Sequence, residues 1–210
     1  MKLLVITPSK DVADEQILIT KMFESGLTTL HLRKPKYSTN QMIDYLAEIP
    51  EHFHNRIVIH SHHQLALSHN LKGIHLSKIH LSKQWQYFFV RLRLKLKFGK
   101  TSKSRSYSRL RQIYLVEDQE FDYYLIGTMY HSMTGDLYSG FYEDGIVAAI
   151  KNGKKKLIAR GGTSINVIAK THKYGFSGIA FGSFIWESEA PYETFLEILA
   201  EFKAHNIALE

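Results

Sequence analysis

Short apolar runs recur along the chain, separated by stretches with helical spacing. Runs rich in Val, Ile, Leu and Tyr predict strands at Lys2–Thr7, Thr28–Arg33, Arg56–His60, Gly73–Leu76, about Leu94–Ser102, Tyr123–Gly127, Lys156–Ala159 and Ser177–Gly182. Each is too short for a core helix. Helical patterns fill several of the gaps. Ala13–Ser25 carries Ile17, Ile19, Met22 and Phe23 and is followed by Gly26, placed as a C-cap glycine. Ser38–Ile49 opens on a Ser/Thr cap and stops before Pro50, and Ser164–Tyr174 closes on Gly175. Tyr192–His205 sets Phe195, Leu196, Leu199 and Phe202 on one expected face. Strand followed by helix, about eight times over, is the pattern of parallel βαβ units. At about 26 residues per unit, 210 residues fit a single compact α/β domain, a (β/α)8 barrel over residues 1–210. An open doubly wound sheet is the competing arrangement.

Composition narrows the chemistry. There is no cysteine, which excludes disulfides, thiolate metal sites and a catalytic thiol. No apolar run approaches the roughly 18 residues of a membrane span, and the N-terminal run is too short for a secretory leader. A cytoplasmic protein without a membrane partner is expected. The net charge of +7 is uneven: no carboxylate lies between Glu51 and Glu117, a segment holding 13 Lys and Arg. Such a stretch suits an anionic partner. Trp85, Tyr87, Phe88, Phe89 and Tyr107 interleave with the basic residues, as stacking platforms for nucleic acid would. Val90–Phe98 nevertheless alternates strictly and reads first as a half-buried strand with a basic outer face. Nucleic acid is therefore not the expected partner, and binding through Lys78–Arg111 is kept as a non-enzymatic alternative.

In a barrel the site assembles at the C-terminal strand ends. Thr7, His31, Arg33, Lys34, His60, Ser61, His62, His75, Thr101, Ser102, Thr128, His131, Gly161, Gly162, Gly182 and Ser183 are expected there. Almost nothing in that set is acidic. A magnesium site wants carboxylates, and a paired-carboxylate glycosidase is equally unsupported. A neutral-to-cationic mouth suits a phosphorylated small molecule. Arg160-Gly-Gly-Thr-Ser164 after strand seven and Phe181-Gly-Ser-Phe184 after strand eight let backbone N–H groups approach a phosphate. His60 and His62 could face one way on a strand like two metal ligands, with His31 or His75 converging. Hydrogen-bonded histidines are the commoner arrangement, and no metal is assigned. His31 and His75, on separate strands, are candidates for acid–base work.

Five segments fall in an order that resembles the thiamine phosphate synthase/TenI family of (β/α)8 barrels. They are Leu30-His-Leu-Arg-Lys34, Gly73-Ile-His-Leu76, Asp122–Thr128, Ala159-Arg-Gly-Gly-Thr163 and Gly175–Ser183. The resemblance covers nearly the whole chain. It implies either of two activities. The synthase joins a pyrimidine diphosphate to a thiazole phosphate with magnesium and releases pyrophosphate. The TenI branch aromatises the thiazole phosphate by tautomerisation.

Position by position, the synthase pattern Gln-x-Arg-x-Lys reads His31, Arg33 and Pro35 here, and its Asn-Asp after strand three reads His60-Ser61. The second magnesium aspartate falls in Ser77–His80, which holds no carboxylate. Thr-x-Thr-Lys after strand six reads Ser132, Met133, Thr134 and Gly135, whereas Gly162, Gly182 and Ser183 match the thiazole-phosphate elements. The TenI catalytic histidine position holds Thr128, with His131 three residues on. The resemblance thus implies a TenI-like protein with His31 and His131 as catalytic candidates. Gly162, Gly182 and Ser183 would hold the phosphate, and Arg33, His60, Ser132 and Thr134 would contact the substrate. The partner is a small phosphorylated thiazole, with no cofactor. Magnesium enters only if the synthase alternative holds.

Overall fold

The computed structural model describes residues 1–77, 80, 92, 101–115, 121–138 and 140–210. Eight parallel strands close on themselves in chain order: β1 (Lys2–Ile6), β2 (Thr29–Leu32), β3 (Ile57–Ile59), β4 (Gly73–Leu76), β5 (Ser102–Tyr107), β6 (Tyr123–Ile126), β7 (Leu157–Arg160) and β8 (Gly178–Phe181). Pairing of β8 with β1 completes the cylinder. The expected (β/α)8 barrel is the fold, and the open sheet is excluded. Helices α1 (Glu15–Glu24), α2 (Thr39–Ala47), α3 (Leu65–Ser68), α4 (Glu143–Asn152), α5 (Ile168–Lys173), α6 (Ser183–Trp186) and α7 (Pro191–Ala204) follow the strands.

Seven strands lie where the apolar runs predict them. The fifth does not. It is Ser102–Tyr107 rather than about Leu94–Ser102, and its sequence is Ser-Lys-Ser-Arg-Ser-Tyr. The alternating segment Val90–Phe98 lies outside the described residues, apart from Leu92, which is helical and exposed. Most of Lys78–Arg111 is likewise outside them. The correction moves Thr101 and Ser102 from the C-terminal end of a strand to the N-terminal end of β5. The signal was present as period-two alternation of small polar residues, Ser102, Ser104 and Ser106, which an apolar search passes over.

Pair registers fix which side chains point inward. His31 is level with Val58 and Ile6, His75 with Ser104, and Ser104 with Tyr123. The lumen therefore divides. One side is apolar, with Leu4, Ile6, Leu125, Ile158 and Ala180 packed together around Tyr123. The other, from β2 to β6, carries His31, His60, His75, Ser104, Ser106 and Tyr123, joined by hydrogen bonds.

The outer layer follows local signals. Ser38 caps α2 in a reciprocal box with Gln41, whose side chain accepts from the Ser38 N–H at 2.9 Å. Gly26, at φ +108, follows α1, and Gly175, at φ +87, follows α5, as expected of C-cap glycines. On α7 the buried face is Phe195, Ile198 and Phe202, whereas Leu196 is exposed. A three-then-four spacing keeps those positions on one stripe, and Leu196 falls off it.

Lys34 leaves the expected mouth set. Its ammonium is fully buried and donates to Glu15 Oε2 at 2.6 Å and the Lys10 carbonyl at 3.0 Å. Glu15 in turn accepts from the Tyr45 hydroxyl at 2.5 Å. This pair ties the β2 end to α1 and α2. Removing Glu15 leaves the buried ammonium only the Lys10 carbonyl and a longer contact, 3.5 Å, to the exposed Asp11 carboxylate. Glu15→Ala is expected to destabilise the fold by about 3–5 kcal/mol in urea denaturation, and a loss under about 1 kcal/mol would show that the pair is solvated.

Candidate active site

Three imidazoles meet in the lumen. His31 is fully buried, His75 is buried, and His60, one residue past β3, is partly open towards the C-terminal mouth. His31 Nδ1 lies 2.9 Å from His60 Nε2, and His31 Nε2 lies 2.7 Å from the Tyr123 hydroxyl. His60 stacks on His75 with ring centroids 4.2 Å apart. His75 is held by Ser104 Oγ at 2.9 Å on Nδ1 and Ser106 Oγ at 3.0 Å on Nε2.

Electrostatics keep these rings neutral. Burial, then Lys72 and Arg160, pull His31 down to about 3. Burial first, then the neighbouring imidazoles and arginines, hold His60 and His75 well below the usual histidine range. Burial also keeps the Tyr123 phenol protonated by raising it. A neutral imidazole has one donor and one acceptor. If Tyr123 donates to His31 Nε2, His31 Nδ1 must donate to His60 Nε2, and the reverse order is equally self-consistent.

Above this network the mouth is cationic. Arg33 is exposed and donates to Ser9 Oγ at 2.6 Å, while its backbone N–H is fixed by Thr7 Oγ1 at 2.8 Å. Arg160 closes β7 half-buried, and burial followed by Arg33 depresses its guanidinium. None of the eight strand sequences contains Asp or Glu. Magnesium requires hard oxygen ligands, so the imidazole and hydroxyl donors collected here do not fit it.

The glycine loops lie beside this mouth. Gly162 sits at φ +66, and a Cβ there would fall 1.9 Å from the Tyr130 carbonyl oxygen and 3.2 Å from the Ser132 nitrogen. The loop after β7 is thereby pressed against the loop after β6, which brings Gly162 and Ser132 together. Gly182 precedes α6, and an added Cβ would meet only the Ile6 carbonyl oxygen at 3.9 Å, leaving open space. Ser183 is exposed as the first residue of α6.

His131, Ser132 and Thr134 are exposed on the turn between Tyr130 and Leu137, which pair as an isolated bridge. The structure thus joins His31 to His60 and Ser132 to Gly162, and leaves the His131 ring away from the buried trio. His62 parts from His60. It turns at φ +52 to bond Thr39 Oγ1 at 3.0 Å and the Tyr37 carbonyl at 2.8 Å, so the two do not share a strand face. Sequence reading missed Tyr123, Ser104 and Ser106 as partners of the imidazoles. At the opposite, N-terminal end a cavity of about 780 Å3 is lined by Lys2, Lys72, Lys103, Lys154, Lys155 and Lys156. Burial, then Lys2 and Arg56, push Lys72 there down to about 8.

These features define a class: a parallel (β/α)8 barrel with an imidazole-lined lumen and glycine loops after its last two strands. Residues 3–185 match the family described as thiamine monophosphate synthase, and the chain belongs to that family. Thiamine-phosphate synthase 1 of Aquifex aeolicus is 23% identical over 184 residues, covering 85% of this chain and 82% of that one. The thiamine phosphate pyrophosphorylase of Bacteroides thetaiotaomicron superposes with a TM-score of 0.74 at 26% identity, covering 98% of this chain and 96% of that one. The enzyme of the same name from Pyrococcus furiosus gives 0.74 at 18% identity over 97% and 96%, a likeness of fold. No helix among the described residues is long and apolar enough to cross a membrane.

Gly162→Ala is expected to cost about 1–2 kcal/mol from its left-handed backbone alone, and more from the displaced Tyr130 carbonyl. Thermal denaturation checks this. An unchanged midpoint would mean that the two loops do not hold one another.

Proposed function

We propose that the protein binds a thiazole phosphate in the C-terminal mouth and aromatises it by moving a proton, as a TenI-like member of its family. The observation that carries this reading is the donor set: imidazoles and hydroxyls line β2 to β6, and no strand supplies a carboxylate. Such a set handles protons without a metal in the relay.

In this reading the phosphate lies against Gly162, Gly182 and Ser183, with Arg33 supplying charge and Ser132 and Thr134 flanking it. Anchoring the phosphate fixes the ring relative to the imidazoles, which removes orientational freedom from the barrier. His60, open to the mouth, accepts the proton from carbon. The C–H electron pair moves into the ring, and a proton returns at a second carbon, so no net oxidation occurs. The dianionic phosphate favours the imidazolium that forms. His31 and Tyr123 stand behind His60 at hydrogen-bond distance, able to pass a proton on. His131, on the loop packed against Gly162, is the candidate for the returning proton.

A synthase reading is favoured by the names of the relatives, a thiamine-phosphate synthase and a thiamine phosphate pyrophosphorylase. In that case pyrimidine diphosphate would join thiazole phosphate with loss of pyrophosphate. The two separate in deuterated water. The TenI-like reading predicts aromatic product from the non-aromatic thiazole phosphate alone, deuterated at the reprotonated carbon. Pyrophosphate release that requires pyrimidine diphosphate and magnesium, with no aromatisation, would overturn it.

A second expectation concerns Ser183. Ser183→Ala should weaken thiazole phosphate binding by about 1–3 kcal/mol, the worth of a hydrogen bond to a charged group. Unchanged affinity by calorimetry would take Ser183 out of the site.

A further inference from the structure

The geometry points to a tris-imidazole metal site formed by His31, His60 and His75, taking a zinc-class divalent ion inside the barrel. The three residues come from consecutive strands β2, β3 and β4, and each offers a ring nitrogen such that all three atoms lie within 4.8 Å of one another. Bonds of about 2.0–2.1 Å to a tetrahedral ion imply about 3.4 Å between nitrogens. The His31 Nδ1–His60 Nε2 separation of 2.9 Å is shorter than that spacing, and the widest separation in the trio, within 4.8 Å, is longer. Loading the site requires the His60 and His75 rings, now 20° from parallel, to turn so that their in-plane lone pairs converge.

The second ring nitrogens are already supported. If His31 coordinates through Nδ1, its Nε2–H donates to the Tyr123 hydroxyl 2.7 Å away. If His75 coordinates through one nitrogen, the other keeps Ser104 or Ser106 as its partner. Such outer contacts fix the tautomer and the ring plane of metal-binding histidines. His60, just past the C-terminal end of β3, is the partly exposed member of the trio. The Ser61 hydroxyl beside it is buried with no hydrogen-bond partner among the described residues.

Ligand type sets the metal. Imidazole suits zinc, copper, nickel and cobalt, whereas magnesium wants oxygen. Charge sets the rest of the shell. The trio is neutral, and among the described residues the charged groups acting on it are Lys72, Arg33 and Arg160. A divalent ion there needs an anionic fourth ligand, either hydroxide or an acidic group of a molecule held in the mouth. Metal and proton relay draw on the same lone pairs, so the loaded protein cannot use His60 as a base. Metal binding itself does not rest on the thiazole reading.

The test reads the metal directly. Chelator-stripped protein is titrated with cobalt(II), followed by visible absorption and elemental analysis, then challenged with zinc. One cobalt per chain with the intense bands of a tetrahedral ion, displaced by zinc, is expected. Tyr123→Phe should weaken binding by roughly 10–100-fold, and His60→Ala by more. His205→Ala, at the exposed end of the chain, should leave it unchanged. A faint octahedral spectrum, or cobalt bound equally by His60→Ala and Tyr123→Phe, would assign the metal to surface histidines and overturn the proposal. Circular dichroism confirms that each variant is folded, and Tyr123→Phe keeps the test decisive if His60→Ala is not.

Discussion

Inside a closed barrel a fully buried inward polar group depends on partners within the lumen, because water does not reach it. His31 illustrates the constraint. Fully buried, it bonds His60 on one nitrogen and Tyr123 on the other, while Ser104 and Ser106 satisfy His75. The polar half of the lumen stands only because these groups satisfy one another. The apolar half, from Leu4 to Ala180, needs no such arrangement and packs as an ordinary barrel interior.

That division shapes the chemistry above it. Neutral imidazoles below and arginines at the rim make a mouth that attracts anions and can carry protons. The carboxylates that would hold a hard cation are missing from the strands. The loops after β6 and β7 hold each other through Gly162, whereas the loop after β8 leaves open space at Gly182. Membership of the thiamine monophosphate synthase family places this mouth among barrels whose named relatives make thiamine phosphate.

Most of the fold was legible because buried parallel strands are apolar runs, and seven of them stood out. The fifth was not, since Ser102, Ser104 and Ser106 fill the lumen with hydroxyls and its outward positions are Lys103 and Arg105. Its identity depends on what lies across the barrel, not on its own hydrophobicity. The placement of the candidate residues was legible in part: His31, Arg33, His60 and Gly162 lie at or just past the C-terminal ends of β2, β3 and β7, where their positions along the chain predict them. Tyr123 as a partner of His31 depends on three-dimensional register across the lumen, which spacing along one strand does not carry. Lys34 was misplaced for a related reason: its partner Glu15 lies on a different element. His60 and His62 were paired by alternation, but β3 ends at Ile59 and the chain turns at His62.

In the proposed function, the mouth binds a thiazole phosphate without magnesium or a diphosphate beside it. Calorimetry of thiazole phosphate binding, with and without magnesium and pyrimidine diphosphate, reads this out. The thiazole phosphate is expected to bind alone, with an affinity that neither addition changes. Binding that appears only when magnesium and pyrimidine diphosphate are both present would contradict it.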